Sequence, residues 1–179
     1  MSDNKKRIPI AEAEEVAGQV ISTLEPFCDR IEVAGSIRRK CGTVGDVEVV
    51  CIPSEVDAAL LFDTGEKERD PRFLAAVNRW EKVKGDPSGK YTQRIHLGAK
   101  IDIFMATPEN WGLILAIRTG PAEYSHNVLA AGWEKKGYHS VGGVLHRGAT
   151  YREIREEHEL FDLLGIRPVP KPQVRRWQG

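Results

Sequence analysis

Gly35-Ser36-Ile37-Arg38-Arg39-Lys40-Cys41-Gly42-Thr43-Val44-Gly45-Asp46-Val47-Glu48-Val49-Val50 is the stretch that decides the fold. Its second half alternates valines with acids. Successive side chains in a strand point to opposite faces, so Asp46 and Glu48 share one face while Val47 and Val49 enter a core. A second short run, Lys100-Ile101-Asp102-Ile103-Phe104, sets a single acid between apolar neighbours. Three carboxylates on one exposed face repel each other unless a cation lies among them, and hard divalent ions favour oxygen ligands. The Gly35-Ser36 turn supplies N–H groups and a hydroxyl for phosphate oxygens, and Arg39 a guanidinium that forks onto them. The pieces predict metal-dependent phosphoryl or nucleotidyl chemistry.

Working outward, the apolar positions Val16, Val20, Ile21 and Leu24 predict a helix over Ile10–Leu24, ended by Pro26. Strands are expected over 30–34 and 46–52, helices over 55–62 and 71–80, and a charged linker over 63–70. Further strands are expected over 80–83, 91–97 and 101–105. Thr107 followed by Pro108 reads as a helix start, with the helix running to about Arg118. Thr119-Gly120-Pro121 stops it. A helix over 122–136, a hairpin around Gly142-Gly143 and a last helix over 153–164 complete the pattern. The fold class is α+β, with a mixed sheet and helices over 1–106 and a smaller, mostly helical unit with a β-hairpin over 107–179.

The chain has 179 residues, with Lys+Arg 26 balanced by Asp+Glu 26. No global field draws it to nucleic acid, so any such affinity must come from local clusters. Cys28, Cys41 and Cys51 show no CxxC spacing, which argues against a zinc site or a disulfide framework. The N-terminus lacks the apolar stretch of a signal peptide and no run reaches membrane-spanning length. A reducing, cytoplasmic compartment and no membrane partner are the expectations; the five histidines have no ligand spacing.

On these motifs the chain resembles the nucleotidyltransferase superfamily and, within it, the family X DNA polymerases, the polymerase beta-like enzymes. The match runs through Gly35-Ser36-x-Arg38-Arg39, Gly45-Asp46-x-Glu48, Asp102 and Thr119-Gly120, and it covers roughly residues 10–175. The resemblance implies a palm over 1–106 and a thumb over 107–179, in the reduced form found in small viral and phage members. It implies Asp46, Glu48 and Asp102 as catalytic residues and ligands of two Mg²⁺ ions, with Mn²⁺ as a substitute. Gly35, Ser36, Arg39, Gly45, Thr119 and Gly120 would bind the nucleoside triphosphate, and Arg38, Lys100, Lys135 and Lys136 the nucleic acid. The implied partners are a dNTP and primer-template or gapped DNA, acted on by a monomer in the cytoplasm, or in a virion or its host's cytoplasm. The implied reaction moves a deoxynucleotide to a primer 3′-hydroxyl and releases pyrophosphate, as in gap filling or repair.

Two departures stand out. Glu48 replaces the family's aspartate, and Ile117-Arg118 replace two aromatics that pack the sugar, leaving deoxy against ribo preference open. Taken singly, each acid reads as a solvated residue on a half-buried sheet; the Gly-Ser-Arg-Arg spacing raises the catalytic reading above that. Lys82, Lys84, Lys90, Arg94 and Lys100, with Lys135, Lys136, Arg147, Lys171, Arg175 and Arg176, read either as solvated edges or as basic patches flanking a cleft. The alternatives to a polymerase are a terminal transferase, a transferase acting on tRNA, protein or a small molecule, and a non-catalytic binding module.

Overall fold

The computed structural model describes residues 7–57 and 67–167. In chain order its elements begin with β1 (Ile8–Pro9), α1 (Ile10–Leu24), β2 (Cys28–Val33), α2 (Gly35–Arg38), β3 (Thr43–Val44), β4 (Val47–Pro53), β5 (Glu55–Asp57) and β6 (Lys67–Arg69). Helix α3 (Pro71–Val77) then leads to β7 (Glu81–Gly85), β8 (Tyr91–His96) and β9 (Ala99–Met105). Beyond these lie α4 (Trp111–Thr119) and a helix that is α at its ends, α5 (Ala122–Tyr124) and α6 (Ala131–Lys135), and π-helical over Ser125–Ala130. Strands β10 (His139–Val141), β11 (Val144–Arg147) and β12 (Thr150–Arg152) precede α7 (Glu157–Leu164). The architecture is α+β.

The main sheet has the order β2-β4-β9-β8-β7, with β4 and β9 parallel and every other pair antiparallel. Alternation along β4 and β9 sends Val47, Val49, Ile101 and Ile103 to one face. There they pack with Val16, Val20 and Leu24 of α1 and with Phe73 and Val77 of α3. Burying each such side chain contributes about 1.5–3 kcal/mol, so this layer dominates the stability of the first half. On the other face Val50, Ile52 and Phe104 meet Trp111 and Leu115 of α4. The same helix turns Leu113 and Ala116 into a second core with Leu129, Trp133, Leu145 and Leu160. Helix α4 is therefore a wall shared by both halves of the chain.

Several elements depart from the sequence expectation. A helix over 55–62 is not present at 55–57: those residues form β5 and pair with β6, which occupies part of the expected charged linker. Glu55 faces Arg69 and Asp57 faces Lys67, so opposite charges meet across the ladder. Residues 58–66 lie outside the described residues. Asp46 precedes β4 instead of opening it. Helix α4 starts at Trp111, three residues after Pro108, because the Asn110 side chain accepts a hydrogen bond from the Thr107 N–H at 2.8 Å and closes a turn first. The expected hairpin gains a third strand, β12. The last helix begins at Glu157, where Glu156 and Glu159 form a capping box, and ends at Gly165 with φ 70°. Among the described residues no helix is long and apolar enough to cross a membrane.

Candidate functional site

The parallel pairing of β4 with β9 sets Glu48 directly beside Asp102. In a parallel pair, register partners point to the same face, so the two carboxylates stand side by side on the α4 side of the sheet. Asp102 is 8 % exposed, and its Oδ1 accepts hydrogen bonds from Tyr91 Oη at 2.6 Å and Gln93 Nε2 at 2.7 Å. Burial and the bond to Asp102 raise the Tyr91 phenol, keeping it a protonated donor. Asp46 sits at the bend just before β4, close enough for its charge to act on Glu48.

Burial, then the charges of Asp46 and Asp102, push the Glu48 carboxyl from 4.5 up to about 7; Arg118 and Arg39 offset part of this. Three oxygen-donor side chains crowd their charge here, and a hard divalent cation is the species that relieves it. The chemistry of the donor set fits such an ion. Among the described residues, however, no three His, Cys, Asp or Glu side chains form a ready-made ligand cage.

Behind Glu48 lies Gly35, at φ +59°, the first residue of α2. Ser36, Arg39, Gly45, Asp46, Glu48 and Gly120 line a cleft of about 400 Å³, joined by Arg7, Cys41, Ile117, Arg118, Pro121, Ala122, Ser125 and His126. One Arg39 N–H group donates to the Thr119 carbonyl, which fixes the guanidinium at the cleft wall. A neighbouring cleft of about 630 Å³ holds Asp102, with Lys84, Lys90, Tyr91, Phe104 and Asn110 in its lining. Glu48 and Arg118 belong to both and form the partition between them. The Arg118 guanidinium lies 4.0 Å from the centre of the Phe104 ring, a cation–π contact that holds it there.

The expected site residues thus divide. Ser36, Arg39, Gly45, Asp46, Glu48 and Gly120 share one cleft, with Asp102 across the Glu48 partition. Gly35 and Thr119 support it from behind. Arg38 points away from it: its two terminal nitrogens donate to Glu157 Oε1 and Oε2, both at 2.7 Å, and one also donates to Thr119 Oγ1 at 2.8 Å. That engagement ties α2 to α7 through the Arg38 guanidinium. Lys100 is exposed on β9, on the same face as Asp102. Lys135 and Lys136 are exposed at the end of α6 and line neither cleft. Lys171, Arg175 and Arg176 lie outside the described residues.

Sequence reasoning gave no role to Tyr91 or Gln93, and marked Arg118 only as standing where the resembled family carries a sugar-packing aromatic. The first two matter because of the register that pairs Gln93 with Asp102 and Tyr91 with Phe104, a long-range relation with no local signature. Arg118 had a visible signal, a cation immediately before Thr119-Gly120, without a partner to give it meaning. Compared with protein-family models and with curated proteins, the chain matches none.

Proposed function

We propose that the chain is a nucleotidyltransferase of the family X DNA polymerase type, which moves a deoxynucleotide from a dNTP to a primer 3′-hydroxyl. The sheet-bearing half serves as palm and the half after residue 107 as thumb. The observation that carries this reading is the register pairing of Glu48 with Asp102 at the edge of a cleft lined by Ser36, Arg39 and Gly45. Asp46, Glu48 and Asp102 would hold Mg²⁺, which supplies charge neutralisation on the phosphates and acidifies the attacking hydroxyl. Ser36, Arg39 and the backbone at Gly45 bind the β- and γ-phosphates. Tyr91 and Gln93 hold Asp102 towards the acceptor, and Arg118 stands between triphosphate and acceptor. The acceptor oxygen bonds to the α-phosphorus, the bond to the bridging oxygen breaks, and pyrophosphate departs.

A second reading, transfer without a template or to a tRNA, protein or small-molecule acceptor, is favoured by the chain's zero net charge and by Arg118 in place of an aromatic. Primer extension with each nucleotide on gapped and unpaired DNA separates the two. Incorporation that follows the template base supports the polymerase. Incorporation indifferent to template supports the second reading. Asp102→Ala is expected to abolish Mg²⁺-dependent incorporation, and unchanged turnover would reject both.

A further inference from the structure

We propose that Arg118 is a catalytic residue whose N–H groups donate to the α-phosphoryl group as it passes from nucleotide to acceptor. The inference rests on the transferase reading and deepens it. Among the described residues, Glu48 and Arg118 alone line both the cleft of Ser36 and Arg39 and the cleft of Asp102. In an in-line transfer, pyrophosphate departs on one side of the phosphorus and the acceptor arrives on the other. With the β- and γ-phosphates in the first cleft and the acceptor hydroxyl in the second, the α-phosphorus falls at their common boundary. The carboxylate of Glu48 repels phosphoryl oxygens there. Arg118 is the cation of that boundary.

The guanidinium is placed in advance. Arg118 belongs to the last turn of α4, a helix packed into hydrophobic layers on both flanks. Ser125 Oγ donates to the Ile117 carbonyl at 2.7 Å and ties that turn to the next helix. The guanidinium carbon lies 4.0 Å from the centre of the Phe104 ring, which stacks on Tyr91 at 5.0 Å. A ring holds a cation while leaving its N–H groups unbonded. The neighbouring arginines are engaged otherwise, Arg38 with Glu157 and Arg39 with the Thr119 carbonyl. Arg118 has no carboxylate or carbonyl partner among the described residues, and its Nε is buried without a hydrogen bond. A partly desolvated cation without such a partner is costly, and an anionic group between the clefts supplies the missing compensation. A helix-dipole role does not account for this placement, because any basic side chain left in water at the last turn meets it.

In the step, the acceptor oxygen bonds to the α-phosphorus and the acceptor proton passes to solvent. The bond from phosphorus to the bridging oxygen breaks, and pyrophosphate keeps the electron pair. Negative charge remains on the non-bridging oxygens throughout, and donors already aimed at them favour the transition state.

The test uses the full chain with Mg²⁺, labelled primers and each dNTP, comparing wild type with Arg118→Ala and Arg118→Lys. Arg118→Ala is expected to lower kcat by about 10²–10³-fold, with KM for the nucleotide little changed. Methylguanidine is expected to restore part of that rate, and NaCl of equal ionic strength none. Arg118→Lys keeps the charge but loses the planar fork, so a fall of about tenfold or more is expected. It carries the test if the alanine variant fails to fold. The two α-thio diastereomers of the nucleotide give a second readout, since each replaces a different non-bridging oxygen. Their rate ratio is expected to differ between wild type and Arg118→Lys. Wild-type kcat in a folded variant overturns the proposal, as does a rise in KM alone. Equal slowing of both diastereomers also overturns it, because Arg118 then acts only by placing Glu48. A wild type inert on every acceptor overturns the transferase reading and this proposal with it, a result distinct from the others.

Discussion

Gly35 lies so close to Glu48 that a Cβ at position 35 would sit 1.7 Å from the Oε2 atom of the glutamate. Its φ of +59° adds a second reason for glycine, since an ordinary L-residue there costs about 1–2 kcal/mol. Gly35→Ala is therefore expected to lower the melting temperature and to displace the Glu48 carboxylate. Thermal unfolding and nucleotide incorporation measured together check this. A variant that keeps both would show that Glu48 has room to move and that the close approach is incidental.

The raised carboxyl of Glu48 gives the stability a definite pH dependence. Its folded value, about 7, lies above the unfolded one near 4.5, so the folded chain holds the proton more tightly. The associated stability is fully present below about 4.5 and is lost as pH rises through about 7. In metal-free buffer, Glu48→Gln is expected to raise the melting temperature at pH 8 by a few degrees and to leave it nearly unchanged at pH 4. Equal effects at the two pH values would reject the assignment. Added Mg²⁺ is expected to narrow the difference at pH 8, because it favours the ionised wild-type carboxylate.

Tyr91→Phe removes one of the two donors to Asp102 Oδ1 while retaining the ring that stacks on Phe104 at 5.0 Å. A hydrogen bond to a charged group contributes about 1.5–3 kcal/mol, part of which Gln93 retains by holding the carboxylate in place. A fall in kcat of roughly five- to fiftyfold is expected, with KM for the nucleotide little changed. A rise in KM with kcat intact would move Tyr91 from acceptor positioning to nucleotide binding.

Arg38 and Glu157 form a two-pronged ion pair across 119 positions of chain, with both partners largely shielded. Bidentate geometry and partial burial lift such a pair above the usual surface value. A double-mutant cycle of Arg38→Ala and Glu157→Ala in urea is expected to give a coupling of about 1–2 kcal/mol. A coupling near zero would return Arg38 to the pool of cations available for a ligand.

What the sequence made legible followed from local alternation. Valines and isoleucines around Glu48 and Asp102 identified both as strand acids, and the apolar positions Val16, Val20, Ile21 and Leu24 marked α1. The adjacency of the two acid-bearing strands was an inference from resemblance, since a parallel pair joined by a long crossover leaves no local trace. Elements held by distant partners were the least legible. Strands β5 and β6 are short and charged, and only cross-strand pairing of Glu55 with Arg69 and Asp57 with Lys67 gives their composition meaning. The destination of Arg38 likewise depended on α7, and the occupation of one Asp102 oxygen on β8.

Helix α4 contributes Trp111 and Leu115 to one hydrophobic layer and Leu113 and Ala116 to another. Severing the chain at residue 107 would consequently leave Val50, Ile52 and Phe104 as a bare greasy scar, and the amputated fragment would clump before it could be assayed. Heat should melt the intact molecule in one calorimetric peak. Any opening of the cleft beside Asp46 and Glu48 is expected to flex beyond this rod, at Gly120-Pro121, because the rod itself is riveted on both flanks.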